Sequence, residues 1–139
     1  MTFESTLVSL LDRGLAARFR ARGDSMHPTI RCGEHVRVFP LQHATPVLGD
    51  VVLARQPRGL TAHRVVRIVR HNGRIVGVAT RGDNALASDP IIALGSLLGR
   101  VEQIERNGVP TAVARSAPSR LHVVARRLAH IIDSLRRKF

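Results

Sequence analysis

The sequence has no tryptophan, no tyrosine and only four phenylalanines. Base-stacking platforms are therefore scarce, which makes nucleic acid an unfavoured partner. A single cysteine, Cys32, excludes an internal disulfide and a multi-cysteine zinc site. It is expected as a small, partly buried hydrophobe. The seven histidines show no metal-ligand spacing with acids, so neither a metal ion nor another cofactor is expected. Long hydrophobic runs are also missing. The longest nearly apolar stretch is Ile91 to Gly99, whereas a membrane-spanning helix needs about 20 residues. The N-terminus mixes acids (Glu4, Asp12) with apolar residues, unlike the apolar core of a signal peptide. These features predict a cytoplasmic location, with peripheral contact at a membrane left open. Lysine is nearly absent. Of 22 basic residues, 21 are arginine and one is Lys138.

Apolar residues make up 44% of the 139 positions, enough to close one core and to exclude a mainly disordered chain. The net charge is +12. Residues 1–24 carry +1, residues 25–115 carry +6 and residues 116–139 carry +5, so charge density peaks at the C-terminus. Such a surplus suits nucleic acid, an anionic membrane or an acidic protein, without choosing among them.

Periodicity predicts a mainly β body between two helices. Phe3, Leu7, Leu10, Leu11 and Leu15 have helical spacing over residues 3–15, with Thr2 as N-cap. Ala17, Phe19 and Ala21 alternate with Arg18, Arg20 and Arg22 as a half-buried strand, which runs into a turn over Gly23 to Pro28. Further strands are expected around Val36 and Val38, stopped by Pro40, and over Asp50 to Ala54, with a loop at 41–48. Two hairpins turn at Asn72-Gly73 (strands 61–70 and 74–80) and at Asn107-Gly108 (strands 98–106 and 109–114). Arg81 to Pro90 reads as a polar loop. After a breaker at Ser116 to Ser119, Leu121, Val124, Leu128, Ile131, Ile132, Leu135 and Phe139 share one face of a basic amphipathic helix. The domain division is 1–115 for the β body with its N-terminal helix, and 116–139 for the C-terminal helix.

Ser25 has the most suggestive setting of the eight serines. It follows a strand and Gly23-Asp24, and it precedes Met26-His27-Pro28. A flexible glycine and a nearby proline make a rigid turn that can present a hydroxyl, as nucleophilic chemistry requires. The segment Gly23-Asp24-Ser25-Met26-His27-Pro28-Thr29-Ile30, followed by Gly33-Glu34, resembles the nucleophile box of signal peptidase I and the LexA-like serine peptidases. Gly49 to Ala54, Ala62 to Ile68, Thr80 to Asn84 with Asp89, and Leu98 to Val101 resemble the family's later blocks in the same order. The resemblance covers residues 20–105 and implies a LexA/signal-peptidase-like β-fold.

Most members of that group pair serine with lysine. Lys138 lies outside the matching region, and His63 stands at the base position. In this respect the chain is similar to the endoplasmic-reticulum, archaeal and sporulation-type signal peptidases, which use serine, histidine and aspartate. The resemblance implies Ser25 as nucleophile and His63 as general base. Asp89 matches the orienting acid and Asp83 the acid of the Gly-Asp-Asn block; both lie in one loop, either could reach His63, and family spacing favours Asp89. Histidine suits the role because its reference pKa of about 6.5 needs little perturbation, whereas lysine must be desolvated. An aspartate then fixes its tautomer and orientation. His27, two residues from Ser25, is the competing base. Gly23, Asp24, Met26 and Pro28 are assigned to the oxyanion site and substrate cleft. Gly23 replaces a hydroxyl that some relatives use as an oxyanion donor, and Ser88 replaces an acid often found before the orienting aspartate.

The functional expectation is a serine endopeptidase acting on an extended peptide, a soluble precursor or a leader. The competing reading is a non-catalytic module whose arginines hold nucleic acid or an anionic protein. A LexA-like repressor would need a DNA-binding domain, and the 24 residues before Ser25 are too few for one. For the C-terminal segment 119–139 three readings compete: a helix packed on the β body, peripheral contact with an anionic membrane, or a protein or peptide partner. No oligomeric state follows from the sequence.

Overall fold

The computed structural model describes residues 1–41, 45–119 and 121–138, with backbone alone at 121 and 122. Residues 42–44 of the loop expected at 41–48 (His43 among them), residue 120, the side chains of Leu121 and His122, and Phe139 lie outside the described residues. Helix α1 (Phe3–Asp12) opens on the expected Thr2 cap. The Thr2 hydroxyl accepts the Ser5 N–H at 3.1 Å, and Ser5 Oγ accepts the Thr2 N–H at 3.0 Å. This reciprocal pair satisfies donors that the helix itself cannot. The helix ends three residues before the expected Leu15. Gly14 adopts φ 78°, and the Gly14 and Leu15 N–H groups return to the Leu11 and Leu10 carbonyls at 3.0 Å each. That left-handed stop overrides the apolar periodicity.

Eight strands are described: β1 (Ala17–Arg20), β2 (His35–Pro40), β3 (Val51–Gln56), β4 (Gly59–His71), β5 (Arg74–Arg81), β6 (Ile92–Ala93), β7 (Leu97–Arg106) and β8 (Val109–Ala112). They form one antiparallel sheet in the order β1-β2-β7-β3-β4-β5-β6, with β8 paired to β7. Both Asn-Gly turns form where expected. Asn72 and Gly73 take φ 50° and 76°, and Asn107 and Gly108 take 53° and 76°. Left-handed residues at both central positions match the twist of the flanking strands. Some bounds differ. β8 stops at Ala112 instead of residue 114, and β1 stops at Arg20, although Ala21 still exchanges hydrogen bonds with Glu34 and Gly33 at 2.8 Å. β4 begins at Gly59 and forms an unexpected hairpin with β3. β6 and a single 3-10 turn at Leu94–Ser96 were also unexpected, being too short to carry a periodic signal.

The apolar run Val51-Val52-Leu53-Ala54 is buried on both faces of β3. Val51 and Leu53 join Val36, Val38, Val101 and Ile104 beneath Leu7 and Leu11 of α1. Val52 and Ala54 join Val65, Val78 and Ile92. The edge of one ring of Phe3 and Phe19 meets the face of the other at a centroid distance of 5.7 Å, fastening α1 to β1.

Helix α2 (Leu121–Lys138) does not pack its apolar stripe on the sheet. Val124, Leu128, Ile131, Ile132 and Leu135 are 44–54% exposed, whereas Val123 is 1% exposed. The packed-helix expectation is thereby corrected. The body is met by Arg126, whose Nη2 pairs with Asp24 at 2.9 Å. Helical spacing puts Val123 and Arg126 on the side of the axis away from Leu128. Among the described residues no helix is long and apolar enough to cross a membrane.

Leu11 is 2% exposed between α1 and the sheet. Leu11→Ala should therefore lower unfolding stability by about 2–5 kcal/mol, read from urea denaturation. A change within experimental error would show that α1 is not part of the cooperative core.

Candidate active site

The turn that carries Ser25 is held from within and from behind. Gly23 enters it at φ 80°, the His27 N–H returns to the Asp24 carbonyl and the Ile30 N–H to the Met26 carbonyl, both at 3.0 Å. Met26 and Ile30 are 5% and 4% exposed in the core cluster, so they pin the turn while Ser25 stays exposed. Asn84 clamps the same turn from the β5–β6 loop. Its backbone N–H donates to the Ser25 carbonyl at 2.9 Å and its Nδ2 to the Asp24 carbonyl at 3.0 Å.

β4 delivers His63 opposite this turn. Its Nε2 lies 3.1 Å from Ser25 Oγ, and its Nδ1 lies 2.6 Å from Asp89 Oδ2. A carboxylate can only accept, so the imidazole proton sits on Nδ1 and the Nε2 lone pair faces the serine hydroxyl. Asp89 is itself oriented. Its Oδ2 accepts Thr80 Oγ1–H at 2.8 Å, and its N–H donates to the Thr80 carbonyl at 2.8 Å. A Cβ at Gly82 would stand 2.5 Å from the Ser25 carbonyl oxygen and 3.4 Å from His63 Nε2, so only glycine lets the two segments close.

Of the two candidate acids, Asp89 contacts His63 and Asp83 does not. Asp83 belongs to a buried fork with Arg64, each side chain being 3% exposed. Arg64 Nε and Nη2 donate to the two Asp83 oxygens at 2.8 Å, and Nη1 donates to the Gly49 and Ala114 carbonyls at 2.8 and 2.7 Å. Thr29 donates to Asp83 Oδ2, and the Asp83 N–H donates to Met26 Sδ at 3.4 Å. Asp83 is therefore a positioning residue between β4 and the Ser25 turn. A second lock holds the turn's far end. Arg106 pairs with Glu34 at 2.7 Å and donates to the Pro28 and Thr29 carbonyls at 3.2 and 3.3 Å. The Arg106 hydrogen bonds hold the Glu34 carboxyl below the usual glutamate range against an opposing desolvation, helped by the Arg31 N–H.

A cavity of about 550 Å³ opens beside Ser25 and His63. Gly23 and Met26 line it, together with Phe19, Leu60 and Ala62, and Arg20 and Arg22 also contribute to its wall. Asp24 and Pro28 were expected in this cleft and are not among its lining residues. Their roles are different: the Asp24 side chain is turned to Arg126, and the Pro28 carbonyl is taken by Arg106. His63, and not His27, faces Ser25. Cys32 is exposed instead of partly buried, since it lies in the turn before β2.

Sequence reasoning missed the roles of Arg64, Thr80 and Arg106. Arg64 had no usable signal: Arg67 lies between Val66 and Ile68 in the same strand and is exposed, so an arginine among apolar neighbours need not be buried. Thr80 was equally unmarked, because threonine is an ordinary strand residue. No protein-family model matches the chain, and no curated protein matches it.

Two stability outcomes follow from the locks. Arg64→Leu strands a buried carboxylate and should cost about 3–5 kcal/mol. Adding Asp83→Asn should recover part of that loss in the same denaturation experiment; no recovery would mean that packing, and not charge, sets the cost. For Glu34, the folded carboxyl titrates below the unfolded one. Its pair with Arg106 therefore stabilises above the ordinary glutamate pKa of about 4.3, and that contribution is lost as pH falls through the folded value. Melting temperature against pH should accordingly show a shallower acid limb in Glu34→Gln than in the wild type, and parallel limbs would refute the linkage.

Proposed function

We propose that this protein is a serine endopeptidase of the signal-peptidase-like kind, with residues 1–115 as the peptidase unit. The observation that carries the reading is the hydrogen-bonded chain from Ser25 Oγ through His63 to Asp89. In this reading Ser25 Oγ attacks the scissile carbonyl as its proton passes to His63 Nε2. The C–N bond then breaks as His63 returns the proton to the leaving amine, leaving a Ser25 ester. Water, deprotonated by the same nitrogen, hydrolyses the ester and restores Ser25. Asp89 stabilises the imidazolium without taking its proton. The Ser25 N–H, which among the described residues has no acceptor, is a donor for the oxyanion.

The edges around the cavity support an extended peptide as the substrate class. β1 is the terminal strand of the sheet, and residues 59–63 of β4 pair only with β3 because β5 pairing starts at Arg64. Both leave backbone donors and acceptors beside Ser25 for an extended peptide to join as a strand. By the family resemblance, small side chains would precede the cut in a precursor or leader peptide.

The test is covalent labelling with a fluorophosphonate or an arylomycin-type lipopeptide, with adducts located by mass spectrometry, beside cleavage of an extended-peptide library. The adduct is expected on Ser25 and should disappear in Ser25→Ala and His63→Ala. Cleavage should fall by about 10³-fold or more in each variant. Wild-type cleavage by Ser25→Ala would overturn the assignment.

A further inference from the structure

We propose that α2 is a membrane-surface anchor: an amphipathic helix that lies in the plane of an anionic bilayer, with Val124, Leu128, Ile131, Ile132 and Leu135 at the boundary of the acyl chains. The inference does not depend on what Ser25 does. Its first support is the direction of the apolar stripe. These five side chains are 44–54% exposed, and they lie across the helix axis from Arg126, the residue that binds the body at Asp24. The stripe thus points away from the protein, and docking on a flat surface would not require it to leave the body.

Charge selects the occupant. Within residues 121–138 there are five cations (Arg126, Arg127, Arg136, Arg137, Lys138) against one acid, Asp133, and that acid is paired with Arg137 at 2.6 Å. Helical spacing sets Arg127 and Lys138 along one border of the stripe and Arg136 along the other. Long basic side chains in those places can run their methylenes along the apolar face and keep their charges at headgroup level. A second copy of the helix would instead bring like charges together, and nucleic acid would leave the apolar stripe in water. An anionic lipid surface satisfies both halves of the helix. Eighteen residues span about 27 Å, and the cations prevent insertion across the bilayer, so the helix lies flat.

The experiment is co-sedimentation of the full chain with vesicles of phosphatidylcholine, with or without phosphatidylserine, at low and high salt. Partitioning is expected only onto the phosphatidylserine vesicles and should weaken as salt rises. Leu128→Gln with Ile131→Gln should reduce it about a hundredfold, at roughly tenfold per aliphatic side chain withdrawn. Arg127→Gln with Arg136→Gln should reduce it by about fivefold per charge removed. All four positions are exposed, and circular dichroism verifies that the variants keep the fold. Ser25→Ala should bind as the wild type does, so a failure of the lipid proposal and a failure of the peptidase reading are separately visible. Three results would overturn the anchor. These are no binding to phosphatidylserine vesicles, equal binding by the Leu128→Gln/Ile131→Gln variant (diffuse attraction to a +12 protein only), or a dimer that depends on Leu128 and Ile131 in a chain that ignores vesicles.

Discussion

The buried fork between Arg64 and Asp83 is the joint on which the site depends. Two charges at 3% exposure are tolerable only together, and the geometry leaves little freedom: two parallel N–H···O bonds of 2.8 Å, with the remaining guanidinium nitrogen spent on two carbonyls. The location of the fork matters as much as its strength. Arg64 is the chain neighbour of His63. Asp83 sits between Gly82, which allows close approach to Ser25, and Asn84, which holds the Ser25 carbonyl. Fixing the Arg64–Asp83 distance therefore fixes two separate segments relative to each other. Thr29 and Met26 extend the joint into the serine turn itself. A 3.1 Å contact between an exposed hydroxyl and an imidazole is easily lost to side-chain rotation, and a rigid neighbour to each partner is what keeps it.

Some of this arrangement was legible in the sequence, for local reasons. Asn-Gly turns, the Thr2 cap and the short apolar strand around Val51 to Ala54 each depend on a few adjacent residues, and each formed where it was read. Ser25 stood out through its immediate neighbours, and His63 through the resemblance of the block Ala62 to Ile68 to the family's base block. The acid at His63 was a different kind of problem. Asp83 and Asp89 are six positions apart in one irregular loop, and no periodicity says which way a loop side chain turns. The answer comes from Thr80, whose backbone and hydroxyl both hold Asp89, and from Arg64, which withdraws Asp83. Both are non-local pairings. Arg64 was further hidden by abundance, since one structural arginine among 21 has no compositional mark. The C-terminal helix illustrates a related limit. Its amphipathic pattern says that one face avoids water, but the face that meets the body is chosen by Arg126 and Asp24.

The arginine surplus gains meaning from how the acids are used. Among the described residues, Asp24, Glu34, Asp50, Asp83, Glu102, Glu105 and Asp133 pair with arginine. Asp89 is different. Among the described residues its carboxylate accepts from His63 and Thr80 and from no arginine. In a chain this rich in guanidinium groups, that exclusion has a physical consequence. An arginine fork on Asp89 would bind both oxygens in a charge-assisted pair and draw the carboxylate away from the imidazole. Thr80 offers a neutral hydroxyl in its place, which orients the carboxylate at Oδ2. Arginine immobilises the Asp83 carboxylate, and a hydroxyl orients the Asp89 carboxylate that faces His63. The same chemistry separates Asp83, a strut between two segments, from Asp89, whose carboxylate stays on the His63 imidazole.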